Sequence, residues 1–335
     1  MTESTSDLRY DVIAIGNAIV DVLGHSSDAA IDELGLTRGG MTLVDTARAE
    51  ELYAHMGQTT QISGGSAANT LAGMAALGAK CAFIGQVADD ALGEVFAHDI
   101  RAADIAFSTP ARAGDPPTGR CMIFVTSDAQ RTMNTFLGAS QFLPAEALDL
   151  DAIANSAVLY LEGYLWDPAE PRAAMRKAIE TAKGAGRRVA FTLSDAFVID
   201  RHGDDFRELI RRGEIDILFA NATELAALTG IADFEEGLAS LAGQVPVVVA
   251  TKGEEGAVAV AGGERAEVPA ESVSRVVDTT GAGDLFAAGF LFGHVRGRSL
   301  VESLRLGALC ASEVISHFGA RPEVDLAVLV SERAS

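Results

Sequence analysis

The residues most able to do chemistry sit in one short run, Asp278-Thr279-Thr280-Gly281-Ala282-Gly283-Asp284, which follows Val276-Val277 and leads into the apolar stretch Leu285-Phe286-Ala287-Ala288-Gly289-Phe290. A strand end, a turn of small residues and a helix are expected there. Glycines at 281 and 283 would leave backbone N–H groups uncovered at the helix N-terminus, where the helix dipole and unpaired donors favour an anion such as a phosphoryl group. Asp284, in the first turn beside that anion site, is placed to accept a proton from an attacking hydroxyl. The alternative is a plain glycine-rich turn in which Asp284 only steadies the helix N-terminus, worth about 0.3–1 kcal/mol.

Two more segments have the composition of ligand sites. Gly64-Gly65-Ser66-Ala67-Ala68-Asn69-Thr70 opens a helix; its glycines permit close backbone approach and Asn69 can both donate and accept, although a simple helix entry would look the same. Gly16-Asn17-Ala18-Ile19-Val20-Asp21 follows the first apolar run, so Asn17 and Asp21 fall beyond a strand's carboxyl end, where open α/β sheets bind ligands. Vicinal hydroxyls suit such an acceptor pair. No G-x-x-x-x-G-K-[ST] occurs, and the first run is not followed by G-x-G-x-x-G, which excludes P-loop and dinucleotide-binding readings.

The elements that must position these residues are legible as an alternation. Short apolar runs at 11–15, 81–84, 157–161, 188–193, 216–219 and 245–251 read as buried strands, and 66–77, 168–183, 204–211 and 299–317 read as amphipathic helices. The pattern predicts a doubly wound α/β fold: a mostly parallel sheet with helices on both faces. Two regions break it, 19–61 and 106–135, the second holding a strand at 121–126 and a turn at Ser127-Asp128-Ala129-Gln130. They are expected to build a small β-rich lid, so that residues 1–335 form one large domain with a cover that excludes water.

Net charge narrows the partners. At −21, with only four lysines (Lys80, Lys177, Lys183, Lys252), the chain is unsuited to nucleic acid or an anionic membrane. Cys81, Cys121 and Cys310 lack metal or disulfide spacing and are expected as buried thiols. The polar N-terminus and the absence of a long apolar run predict a cytoplasmic protein with no membrane span.

Taken together, these motifs resemble the ribokinase-like, or PfkB, family of carbohydrate and nucleoside kinases, the likeness running from Asp11 to Pro322. The resemblance implies the ribokinase-like fold, with Asp284 as catalytic base and Gly281, Ala282 and Gly283 as an anion hole. It implies that Glu224 of Asn221-Ala222-Thr223-Glu224 acts through water on Mg²⁺ and the phosphates, a plain helix cap being the physical alternative. Lys252-Gly253 is similar to the family's nucleotide-side turn, and an exposed turn lysine would read the same. Gly16-Asn17 with Asp21, Arg131-Thr132-Met133-Asn134 and Leu161-Glu162-Gly163-Tyr164 resemble the adenosine-kinase and bacterial nucleoside-kinase branch. That implies ATP, Mg²⁺ and K⁺, a nucleoside acceptor with a sugar or a non-catalytic ligand sensor as alternatives, and a monomer or homodimer. By the same resemblance Asn17, Asp21, Gly64, Gly65 and Asn69 hold the ribose, Arg131 neutralises phosphate charge as the lid closes, and the backbone near Asp278 and Thr280 binds K⁺, with the loop 316–322 closing the other side. Tyr164 or Phe136 is the candidate to stack on a base, Phe136 being better suited to the core. Thr192-Leu193-Ser194-Asp195-Ala196-Phe197 departs from the branch and leaves base identity open.

Overall fold

The computed structural model describes residues 8–128 and 130–333; Ala129 of the expected turn and the first seven residues lie outside them. The larger sheet has nine strands in the order Glu264–Val268, Ala257–Ala261, Val247–Thr251, Ile217–Asn221, Arg188–Thr192, Ser156–Glu162, Tyr10–Ile15, Cys81–Ile84, Ile105–Phe107. From Val247–Thr251 onward neighbours run parallel, and the first two strands form an antiparallel hairpin at the edge. Parallel strands buried on both faces read as continuous apolar runs, which is why each of the six expected strands is found within two residues of its expected ends.

Side-chain alternation sorts the core into two layers. Val12 and Ala14 pack with Leu71, Phe96, Phe290 and Leu304 on one face, while Ile13 and Ile15 pack with Ile179, Phe206, Leu225 and Leu241 on the other. Helices therefore cover both faces, as a doubly wound sheet requires. The helix expected at 204–211 begins earlier, at Ala196, because the Asp195 carboxylate accepts the Phe197 N–H and caps it; Val198 and Ile199 hide that start by their β-branching.

A second sheet holds five strands in the order Met41–Leu43, Arg131–Gly138, Thr118–Val125, Ile19–His25, Thr59–Gly64. One face packs Met122, Phe124 and Phe136 on Ile31, Ala49 and Leu52 of two short helices. The opposite face carries Ile19, Cys121, Ile123 and Met133. Phe136 is thus core. All three cysteines are buried.

The helix Ala282–Val295, which begins with the glycine turn, is clamped from both sides. A Cβ on Gly289 would lie 2.3 Å from Leu306 O, and one on Gly73 would lie 2.5 Å from Leu285 Cδ1. Small residues let Ser66–Ala76 and Leu300–Val314 close on this helix and fix Asp284 laterally. An exposed helical Gly→Ala change ordinarily stabilises by about 0.5–1 kcal/mol. Gly289→Ala should instead destabilise by roughly 1–3 kcal/mol through overpacking against backbone, read as a lower urea midpoint; an unchanged midpoint would contradict this packing.

Candidate active site

A cavity of about 540 Å³ lies between the two sheets, at the carboxyl ends of the parallel strands. Glu162, Thr192, Asn221 and Thr251, each at or one residue from a strand end, line its floor, and Ile19, Asp21, Met41, Leu43, Ile123, Met133 and Leu137 of the smaller sheet line its roof. Gly65, Ser66, Asn69, Gly281, Gly283 and Asp284 also line it.

Asp284 stands in the first turn of its helix. Its Oδ1 accepts a hydrogen bond from Ser66 Oγ at 2.6 Å, and its Oδ2 accepts one from Asn69 Nδ2 at 3.1 Å. Burial raises its pKa above the ordinary carboxylate range, opposed by these two bonds and by the Arg321 charge. No side chain caps this helix, Gly281 stands at φ +77°, and a Cβ there would meet Ala320 Cβ at 2.6 Å. The turn can therefore present N–H groups to an anion beside a carboxylate. Ala282 itself is not part of the cavity wall.

Two further carboxylates converge on the same junction. Glu162 accepts from Asn17 N at 2.7 Å, Asn17 Nδ2 at 2.6 Å and Ala67 N at 2.8 Å, and Ser140 Oγ donates to Asn17 Oδ1 at 2.8 Å. The Asn17 side chain, which also lines the cavity, is thereby held in one orientation by its partners inside the protein. A Cβ on Gly16 would meet Glu162 Oε2 at 2.6 Å, and one on Gly65 would meet Asn17 O at 2.2 Å, so both glycines are required for this closure. Gly64 leaves room for the Asp21 carboxyl, which a Cβ would approach to 2.6 Å. Burial pushes Asp21 to about 6 and Glu162 to about 7.

The remaining expected residues divide. Arg131 is buried, paired through Nη1 with Asp278 Oδ2 at 2.9 Å, and stacked on Phe318; its Nε and Nη2 have no hydrogen-bond partner. Asp278 also accepts from Thr280 N at 3.0 Å and Gly319 N at 3.1 Å, so its side chain shapes the glycine turn. Asn221 and Glu224 line the cavity while closing on each other as a capping box, with Glu224 Oε1 2.7 Å from Asn221 Nδ2. Burial and the nearby Asp195 raise Glu224 to about 7. Lys252 and Gly253 are not brought into the cavity: Lys252 Nζ donates to Glu267 Oε1 at 2.7 Å and lies over Phe234. Tyr164 is in the wall, 6.0 Å from the Phe197 ring, and its N–H donates to Ser194 Oγ. Ser194 adopts φ +70°, a conformation unusual for serine and typical of functional sites.

Sequence reasoning gave no role to Ser66, Ser140, Glu162, Ser194 or Arg321. Glu162 carried a signal, an acid directly after the apolar run 157–161; Arg321 lay in the loop 316–322 expected at the K⁺ site, with no role of its own.

Against known proteins, residues 32–326 match the family described as pfkB family carbohydrate kinase. The chain belongs to that family. A structure of the adenosine kinase from Sinorhizobium meliloti superimposes with a TM-score of 0.90 at 49% identity, covering 98% of this chain and 100% of that one. One of a probable sugar kinase protein from Rhizobium etli CFN 42 gives 0.92 at 45% identity, covering 98% and 99%. By sequence, ribokinase of Arabidopsis thaliana is 30% identical over 292 residues, 82% of this chain and 72% of its own length. Membership makes the chain a carbohydrate or nucleoside kinase and implies ATP as phosphoryl donor, with Mg²⁺. No helix among the described residues is long and apolar enough to cross a membrane.

The Glu162 carboxyl, moved from 4.5 to about 7, binds its proton more tightly folded than unfolded. Its contribution is therefore complete below 4.5 and lost as pH rises through 7. Urea midpoints should fall between about pH 5 and about pH 8, and Glu162→Gln should lower the acid-side midpoint while flattening part of that fall. An equally steep fall in the variant would show that Glu162 is not titrating there.

Proposed function

We propose that this chain transfers the γ-phosphate of ATP to the 5′-hydroxyl of a purine nucleoside, adenosine foremost. The observation that carries this reading is the two-sided character of the cavity. At one end Asp21, Asn69 and Asp284 offer acceptors and donors suited to ribose hydroxyls. Elsewhere the wall is apolar, from Ile19, Ile123, Met133 and Leu137 overhead to Tyr164 and Phe197, and a planar base would cover that surface. A free hexose, with hydroxyls around its ring, would leave it unmatched.

In this reading Asp284 takes the proton from the attacking hydroxyl, and its hydrogen bonds to Ser66 and Asn69 orient it. The Gly281–Gly283 turn holds the transferring phosphoryl group on the helix N-terminus. Arg131, buried against Asp278 behind the cavity wall, would offer its unpartnered Nε and Nη2 to a phosphate oxygen as the lid closes. Glu224 and Asn221, on the cavity wall, fit hydrated Mg²⁺, which when bound supplies charge neutralisation at the phosphates. The backbone around Asp278 and Thr280 would hold K⁺, and the smaller sheet acts as the lid that excludes water. Lys252, engaged by Glu267, is kept to the outer edge of the nucleotide site.

The likeness to a probable sugar kinase supports a second reading, a sugar acceptor at the same polar cluster. ADP release from MgATP, measured with adenosine, inosine, guanosine, ribose and fructose, separates the two. Adenosine should be the preferred acceptor, and turnover confined to free sugars would overturn the nucleoside reading. Asp284→Asn should lower kcat by about 10²–10⁴ with nucleotide affinity retained, measured by calorimetry; near-wild-type turnover would remove Asp284 as the base.

A further inference from the structure

Arg321 has no role in any motif above, yet its guanidinium occupies the junction on which the site is built. Nε and Nη2 donate to Ser63 O at 3.2 and 2.8 Å, Nη2 also reaches Ser63 Oγ at 3.1 Å, and Nη1 donates to Ala68 O at 2.9 Å. Ser63 is in the last strand of the smaller sheet, one residue before Gly64-Gly65; Ala68 is in the first turn of the following helix, between Ser66 and Asn69. Those two residues are the ones that hold Asp284. The guanidinium therefore fastens the corner where the lid strand becomes the helix that orients the base.

Its hydrogen bonds go to carbonyls and a hydroxyl rather than to a carboxylate, so its charge acts through space on the acids around it, Asp21, Asp284 and Asp99. We propose that Arg321 is a positioning residue for phosphoryl transfer, locking the Ser63–Ala68 corner and keeping Asp21 and Asp284 side by side as carboxylates. A cation of this kind is needed because two acids in one dry junction oppose each other's ionisation. Other groups facing the pair are Glu162, Tyr160 and Tyr164 from the floor, and Arg131 and Asp278, which act on Asp21. The Arg321 pKa, lowered to about 10 by burial, leaves it charged throughout the neutral range.

The inference rests on Asp284 being the proton acceptor, and its test has one arm that needs no turnover. In protein labelled at the aspartate carboxyl carbon, Asp284 is assigned by its loss in Asp284→Asn and titrated by ¹³C NMR. In Arg321→Gln its midpoint should rise by about one pH unit or more, the effect of removing a nearby opposite charge, while Arg321→Lys should stay near wild type. With a substrate that turns over, the acid limb of kcat/KM should move upward with the titration in Arg321→Gln alone. An unchanged Asp284 midpoint in folded Arg321→Gln overturns the proposal, as does an equal rise in Arg321→Lys, which would mean that only the shape of the corner matters. Should Arg321→Gln fail to fold, Arg321→Met decides: a midpoint raised by about one unit supports the charge role, and a midpoint near wild type contradicts it. Failure of every acceptor to turn over, with the Asp284 titration behaving as expected, would count against the acceptor assignment and leave the role of Arg321 standing.

Discussion

Carboxylates that leave water must be given donors or neighbouring cations, and the junction between the two sheets is organised by that demand. Asp21, Glu162 and Asp284 meet there, each pushed upward by burial. Each is answered differently. Glu162 receives three N–H donors and becomes structural cement between the first strand and the helix Ser66–Ala76. Asp284 receives one donor on each oxygen and faces the cavity. Asp21 is given space by Gly64 and charge by Arg321 and Arg131 rather than a hydrogen bond of its own. The division separates acids that hold the protein together from acids left able to meet a substrate.

The same junction explains why the site needs two sheets. The larger one delivers strand ends and helix N-termini, which suit a phosphate and place a carboxylate, and it adds part of the apolar wall through Tyr164, Phe197 and Phe219. The smaller sheet closes that wall from above: its alternation sends Met122, Phe124 and Phe136 to its own helices, and Ile19, Ile123 and Met133 toward the cavity. A one-residue slip in its register would exchange those sets and close the site to an apolar ligand.

What was legible in the sequence was local. The parallel strands announced themselves as apolar runs, and the glycine turn with Asp284 is contiguous, so the chemistry proposed for it rests on the sequence alone. The edge hairpin Ala257–Ala261 and Glu264–Val268 was not read, since small and exposed residues weaken its pattern, and with it went the partner of Lys252: Glu267 sits on that hairpin. Residues whose role depends on remote contacts were also invisible. Glu162 binds Asn17 across 145 positions, and Arg321 reaches Ser63 across 258. Resemblance alone suggests a phosphate role for Arg131, whereas its pairing with Asp278 follows only from the packing of the small sheet on the glycine turn.

The central claim is that the polar end of the cavity presents the primary hydroxyl of a ribose to Asp284. Phosphorus NMR of the product formed from MgATP and adenosine, recorded with proton coupling, tests it most directly. A phosphomonoester resonance split into a triplet by the two 5′ methylene protons is the predicted result; a doublet, marking phosphate on a ring hydroxyl, or no phosphoester at all, would contradict it.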